Sequence, residues 1–340
     1  MKRVVILFLG FLILLGGNCT KNPTGPGSAR APILYVMAGL IYFIDTATDS
    51  IVDSMSVSGN SPYFRGVSPD GSKLYLMDQV IDTKTKTVIA GARTGVPTPD
   101  GKYLLYTGIG PFQVIEAQTN QVLYSDDTLN LGVYGTGREF DAKNGLVYGA
   151  LGDKIGVFDY RRLEYVRTID PGQIGGLNWC VNDIVVSRDG RKLYYVCGEV
   201  YSAIDLVRDT VIDVLILDCG NYAWLGVRPD DRYIYITDLG NSIVPPEPCR
   251  KILIYSPFTE TFLQPIVPCY PIYDTVLCGG PVGQIALTPD GRKAYVPGGP
   301  NFLSVIDTRT NQVIKLIELP RSVSSLTVQR KYNFLEGDLP

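Results

Sequence analysis

The chain has no histidine anywhere in its 340 residues. That absence excludes Ser-His-Asp triads, haem on a histidine ligand, histidine-bound copper and most catalytic zinc. No Cys-x-x-Cys pair and no Asp-x-Asp-x-Asp-Gly loop occurs, so neither a thiolate zinc site nor an EF-hand calcium site is written locally. The glycines of Gly135-Thr136-Gly137 do not open a helical pattern, so no phosphate loop is supported. No run of one charge sign is present. Net charge is −3 with acids and bases interspersed, which is no nucleic-acid footprint. We therefore expect no cofactor, no metal and no nucleic-acid partner. The acids Asp78, Asp153, Glu199, Asp218 and Asp238 are each read first as solvated or turn-capping carboxylates, and second as ligands converging on a cation near an axis.

What the chain has is tyrosine, glycine and proline: 22, 36 and 23 residues, the composition of short strands and turns rather than long helices. Ahead of them, Lys2 and Arg3 precede an apolar run from Val4 to Leu15. A basic start and an apolar core this short read as an export signal, not a membrane span. Cys19 follows the core, as in a bacterial lipoprotein signal, although Gly16 and Asn18 replace the usual Leu and small residue. Ala29-Arg30-Ala31 is the competing cleavage site, set far from the core and followed by Pro32. We expect residues 1–18 to be removed and Cys19 to carry lipid. Residues 19–32, rich in Pro, Gly and Ser, read as a flexible tether.

Two phrases recur through the rest. The first is Ser68-Pro69-Asp70-Gly71, echoed at Thr98–Gly101, Ser187–Gly190, Arg228–Asp231 and Thr288–Gly291, and more weakly at Ala142–Gly145. Proline presets φ, Asp tolerates the third position and Gly supplies positive φ, as a tight hairpin requires. The second phrase is Ile-Asp-Thr, full at Ile44–Thr46, Ile81–Thr83 and Ile306–Thr308. Degenerate copies stand at Ile115–Ala117, Phe158–Tyr160, Ile204–Leu206 and Tyr255–Pro257, making seven. Its Asp or Thr favours reversal by bonding turn amides. Units of about 30–45 residues signal solenoids or propellers. Each unit reads as four strands, a to d. The first lacks its a strand, while a spare strand, residues 323–328, follows the last d; joining them closes a ring.

The phrases Ser/Thr-Pro-Asp-Gly and Ile-Asp-Thr-x-Thr-Asn-x-Val resemble the YVTN-type repeat of seven-bladed β-propellers on bacterial and archaeal cell surfaces. The copy at residues 282–314 is near to it. The resemblance implies an all-β fold of seven four-stranded antiparallel blades over residues 33–329, with a C-terminal tail at 330–340.

In such a blade the a–b and c–d turns share one face, and the b–c and d–a loops share the other. The second face carries the long segments 170–180, 239–251 and 265–281. Six cysteines fall there: Cys180, Cys197, Cys219, Cys249, Cys269 and Cys278, an even set in an exported chain. Disulfides are expected. Cys180 with Cys197 is symmetric about the Arg188–Asp189 turn, Cys269 with Cys278 closes a local loop, and Cys219 with Cys249 remains by elimination. Aligned on the first phrase, Phe64, Thr94, Arg138, Asp183, Trp224, Gln284 and Ser324 start the a strands and would ring the channel mouth. Arg65, Arg138, Asp183, Tyr222, Trp224 and Gln284 are the binding candidates, with interblade core packing the competing reading for Trp224.

Three functions compete: an envelope-anchored module binding a protein, peptide or glycan; an enzyme or enzyme subunit, since similar repeats occur in quinoprotein amine dehydrogenase heavy chains and sugar lactonases; and a structural surface protein packing against its own copies. The missing histidine argues against independent catalysis.

Overall fold

The computed structural model describes residues 31–57, 63–91, 94–107, 110–129, 131, 138–152, 154–171, 181–198, 200–217, 222–238, 251–267, 269–272, 275–278, 283–299 and 301–329. The expected signal, Cys19 and nearly all of the tether lie outside them, as do Cys180, Cys219 and Cys249.

Seven four-stranded antiparallel sheets follow one another, one per repeat, as the blades of a propeller. Blade 1 is built from Ile33–Met37, Ile41–Asp45 and Ser50–Met55, with Ser325–Val328 supplying its innermost strand. Leu34 faces Val328 and Val36 faces Leu326, so the two ends of the chain are zipped in one sheet. Blades 2 to 7 have the uninterrupted order a-b-c-d, with inner strands Phe64–Val67, Val96–Pro97, Arg138–Asp141, Asp183–Val186, Tyr222–Val227 and Ala286–Leu287. One addition departs from the sequence reading. The segment 265–281 is not wholly irregular: Cys269–Ile272 and Thr275–Cys278 pair as a separate hairpin between blades 6 and 7.

The first phrase closes four of the a–b hairpins, those of blades 2, 3, 5 and 7, with its own side chains. Ser68 donates its hydroxyl to Asp70 at 2.5 Å and accepts the Lys73 amide at 2.8 Å. Thr98, Ser187 and Thr288 repeat both bonds toward Asp100 and Tyr103, Asp189 and Lys192, and Asp290 and Lys293. Gly71, Gly101, Gly190 and Gly291 take φ of +66° to +74° at the exit, and Asp231 takes +56° where blade 6 lacks the glycine. In the second phrase the roles divide. Asp45, Asp82, Asp159 and Asp205 each cap two amides of the c–d turn. Thr83 turns instead to the first phrase, donating to the Gly71 carbonyl at 2.6 Å. Four residues after the Asp position, Asp49, Lys86, Asn120, Leu163, Asp209, Glu260 and Asn311 all have positive φ, so none of the seven c–d turns uses glycine there.

The core lies between blades. Val36, Tyr295, Leu303 and Leu326 are fully or almost fully buried in the cluster joining blades 7 and 1. The repeated tyrosines of the b strands cross these joints. The Tyr235 hydroxyl donates to Asn311 at 2.8 Å, and that of Tyr295 donates to Asp49 at 2.6 Å.

Candidate functional site

The inner strands of all seven blades line one axial cavity of about 160 Å³. Its polar wall is made by Arg65, Thr98, Glu139, Asp183, Gln284 and Thr327, with Phe64 and Trp224 as its aromatics. Four of the six sequence candidates therefore meet: Arg65, Asp183, Trp224 and Gln284. Trp224 is half-buried in the channel wall rather than sealed between blades.

Two of them also hold the ring together. Asp183 accepts the Leu225 amide of blade 6 at 2.8 Å and the Ile184 amide at 3.0 Å. Gln284 accepts the Leu326 amide of blade 1 at 3.4 Å. Other ring positions are structural. Thr94 is buried and donates to the Leu76 carbonyl, and Ser324 donates to the Met37 carbonyl at 3.3 Å.

Blade 4 differs by one residue. The first phrase aligns Ala142 with Ser68, which sets Arg138 in the ring. In the structure Asp141 faces Leu146 and takes the position that Ser187 has in blade 5, where Ser187 bonds Lys192. Asp141 caps the Asn144 amide at 3.1 Å and Gly145 closes the turn at φ +74°, the geometry of the second phrase. The a strand is thereby displaced by one register step. Arg138 faces Gly149 at the level Ile184 holds in blade 5, and Glu139 faces Tyr148 at the level of Val185. Glu139, absent from the sequence candidates, is the blade 4 acid in the channel wall. Asp141, standing directly before the blade 4 phrase and four residues before Gly145, was the signal for this shift; a missing Ser or Thr is not, since blade 6 starts on Arg228 and keeps the register. The side chains of Arg138 and Tyr222 lie outside the described residues; Tyr222 is placed by its backbone, opposite Asp238.

Arg65 reaches the channel through a bulge. Phe64 pairs with Leu76 and Gly66 with Tyr75, leaving Arg65 as the extra residue. Phe64 thus takes the core slot of Ile184 and packs against blade 1, while the bulge re-aims the next side chain. Gly66, at φ +151° and with Pro97 3.1 Å from where a Cβ would stand, is the glycine this geometry requires. Burial lowers the Arg65 guanidinium's pKa against a smaller opposing effect of Tyr106, and its Nε is buried without a hydrogen-bond partner.

The opposite face is chemically occupied. Burial disfavours the ionised carboxyls of Asp70, Asp189 and Asp290. The hydroxyl and amide bonds from their own turns outweigh it, holding all three below the usual range.

Of the acids considered for a cation, Asp153, Glu199 and Asp218 and the side chain of Asp238 lie outside the described residues. Among the described residues no group of three metal-ligating side chains comes together. Cys197 ends its strand, is 6% exposed and is not a free thiol. Asp183 faces Val196, so straight continuation sets Asn182, not Cys180, opposite Cys197; the bond from the Asn182 amide to the Val196 carbonyl already departs from that register. Cys269 and Cys278 are direct register partners.

No protein-family model and no curated protein matches the chain. Solved structures do. Kuenenia stuttgartiensis hydrazine synthase is similar with a TM-score of 0.63 at 17% identity, over 83% of this chain and 94% of that one. Dihydro-heme d1 dehydrogenase NirN in complex with DHE gives 0.59 at 15%, over 90% and 77%. The β-propeller domain of Cps50 (Swd1) from Myceliophteria thermophila gives 0.59 at 16%, over 80% and 90%. These likenesses establish the fold alone.

Proposed function

We propose that this protein is a non-catalytic binding module of the YVTN type. It recognises a protein, peptide or glycan through the face that carries the b–c and d–a loops and the mouth of the axial channel. The observation that carries this reading is the contrast between faces. Asp183, Trp224, Gln284 and Arg65 converge on the channel, whereas the carboxylates of the a–b turns are engaged by their own turns. Arg and aromatic side chains in a concave, rigid setting are the usual material of recognition hot spots.

Disulfides staple the loop face in this reading. Cys269 with Cys278 is favoured by register, since directly opposed cross-strand cysteines lie within disulfide reach. Cys197 has Cys180 as its proposed partner across the a–b hairpin of blade 5, and Cys219 with Cys249 completes the set. Rigid loops lower the ordering cost of binding. The chain is placed in the bacterial cell envelope, with lipid on Cys19 as its membrane anchor.

Peptide and glycan arrays probed with the labelled protein test the face. Replacing Arg65, Asp183 (as Asn, which can keep one of its two amide bonds) and Trp224 should abolish binding with the fold retained. Changes at Asp70, Asp100 and Asp290 should cost stability and spare binding. The reverse pattern would show that the other face works, and turnover of a lactone or amine would show that the class is wrong. For the anchor, Cys19→Ala should release the protein from the membrane fraction; unchanged partitioning would refute lipidation.

A further inference from the structure

Resting on the face proposed above, we infer that the axial channel takes the carboxylate group of its ligand on Arg65. Two observations lead there, the backbone around Arg65 and the state of its side chain. The bulge at Arg65 lifts a charged side chain out of a strand whose neighbour, Phe64, fills the core slot, so the backbone is shaped to deliver this group to the channel. Gly66 supplies the conformation that permits it. The delivered guanidinium is then left with a buried, unpartnered Nε, an uncommon and costly state for a cationic donor. A carboxylate, accepting in the fork geometry of a guanidinium, is the group that best pairs with the Arg65 side chain where it lines the cavity.

The other charged groups of the wall do not meet that need. Asp183 is committed to two amides, and Glu139 already has a partner. Tyr106 is the titratable neighbour that acts on Arg65 electrostatically, as the smaller effect beside burial. Glu139 and Asp183 nevertheless place negative charge in the same cavity, which disfavours ligands of high negative charge such as phosphates. The cavity, about 160 Å³, holds a group the size of a few waters. It therefore accepts a small carboxylic acid, or the acidic side chain of a bound peptide inserted from the mouth, where Trp224 covers its apolar stem.

The two sources are separable. The full-length protein, carrying Trp179→Phe so that Trp224 alone reports, is titrated at constant ionic strength with sodium propionate and, separately, with a hexapeptide containing one Glu. The readouts are indole emission and the melting midpoint, which a native-state ligand raises. Propionate binding assigns the site to a small carboxylate, and binding of the peptide but not its Gln counterpart assigns it to a partner's side chain; either supports the inference. Arg65→Gln should weaken the binding about 30-fold, the scale of a charge-assisted hydrogen bond, and Arg65→Lys should fall between. Glu139→Gln, by removing a competing charge, should strengthen it. Binding of neither probe, or the parent's affinity retained in Arg65→Gln and Arg65→Met, overturns the inference. An array ligand that survives Arg65→Gln but not the Trp224 change would do so too, while leaving the proposed binding face intact.

Discussion

Asp49 shows how much one side chain can do in this ring. It sits in the c–d turn of blade 1 with φ +52° and is 8% exposed. Its carboxylate accepts the Tyr295 hydroxyl at 2.6 Å and Lys293 Nζ at 2.7 Å, both from blade 7. Lys315, also from blade 7, bonds its carbonyl at 2.6 Å. The first and last repeats are therefore locked by side chains as well as by a shared sheet. Asp49→Ala strands a largely buried ammonium and a buried phenol, and should cost about 2–3 kcal/mol in urea unfolding. Asp231 is the opposite case. Burial, with the charges of Asp189 and Asp230 nearby, raises its carboxyl pKa against the favourable Arg188 amide bond. A folded pKa above the unfolded one means that ionisation opposes folding, and the cost is present above both values and absent below them. Asp231→Asn keeps an acceptor and tolerates the φ of +56°. It should raise the melting midpoint at pH 7, with the gain vanishing in scans near pH 3.

At the scale of the hairpin, one hydroxyl organises each of the four first-phrase turns that start on Ser or Thr. Thr288, 4% exposed, donates to Asp290 at 2.6 Å and accepts the Lys293 amide at 3.1 Å. Thr288→Val keeps the shape and strips both bonds, so it should cost about 1–2 kcal/mol, while Thr288→Ser should be almost neutral. The second-phrase turns add to the acid sensitivity that Asp70, Asp189 and Asp290 give the first. The side-chain and backbone bonds from Arg309 hold Asp307 down at about 2. Its contribution is complete above the unfolded Asp pKa of about 3.9 and is lost as pH falls through about 2. The seven non-glycine residues at positive φ in these turns were not legible from composition. A turn residue of any type is pulled left-handed when the strands on both sides are already paired.

At the scale of the whole molecule, closure makes the blades interdependent. Ser325–Val328 pairs with Ile33–Met37, and Gln329 donates to the Pro69 carbonyl of blade 2 at 3.1 Å. Deleting residues 320–340 removes this inner strand, exposes the edge of blade 1 and uncovers Leu34 and Val36, which are fully buried. A single cooperative transition at clearly lower temperature is the expected calorimetric result. A truncated protein that melts like the parent would mean that closure by this strand does not stabilise the ring.

The repeat phrases by themselves determined the blade count, the four-strand order, the closing strand and the face on which the short turns lie, because each turn is built from side chains only a few residues apart. Tertiary structure decided the channel wall. Whether Arg138 or Glu139 faces the axis depends on where the blade 4 turn closes, and whether Arg65 is core or channel depends on a bulge made possible by Gly66. One residue of strand slip reverses the side of every side chain that follows. That slip is set by pairing and by neighbouring blades, not by the local pattern of residues. The same reason separates the cysteines: Cys269 and Cys278 are brought opposite one another by a hairpin within a single short segment, while the place of Cys180 relative to Cys197 turns on the register of a strand end.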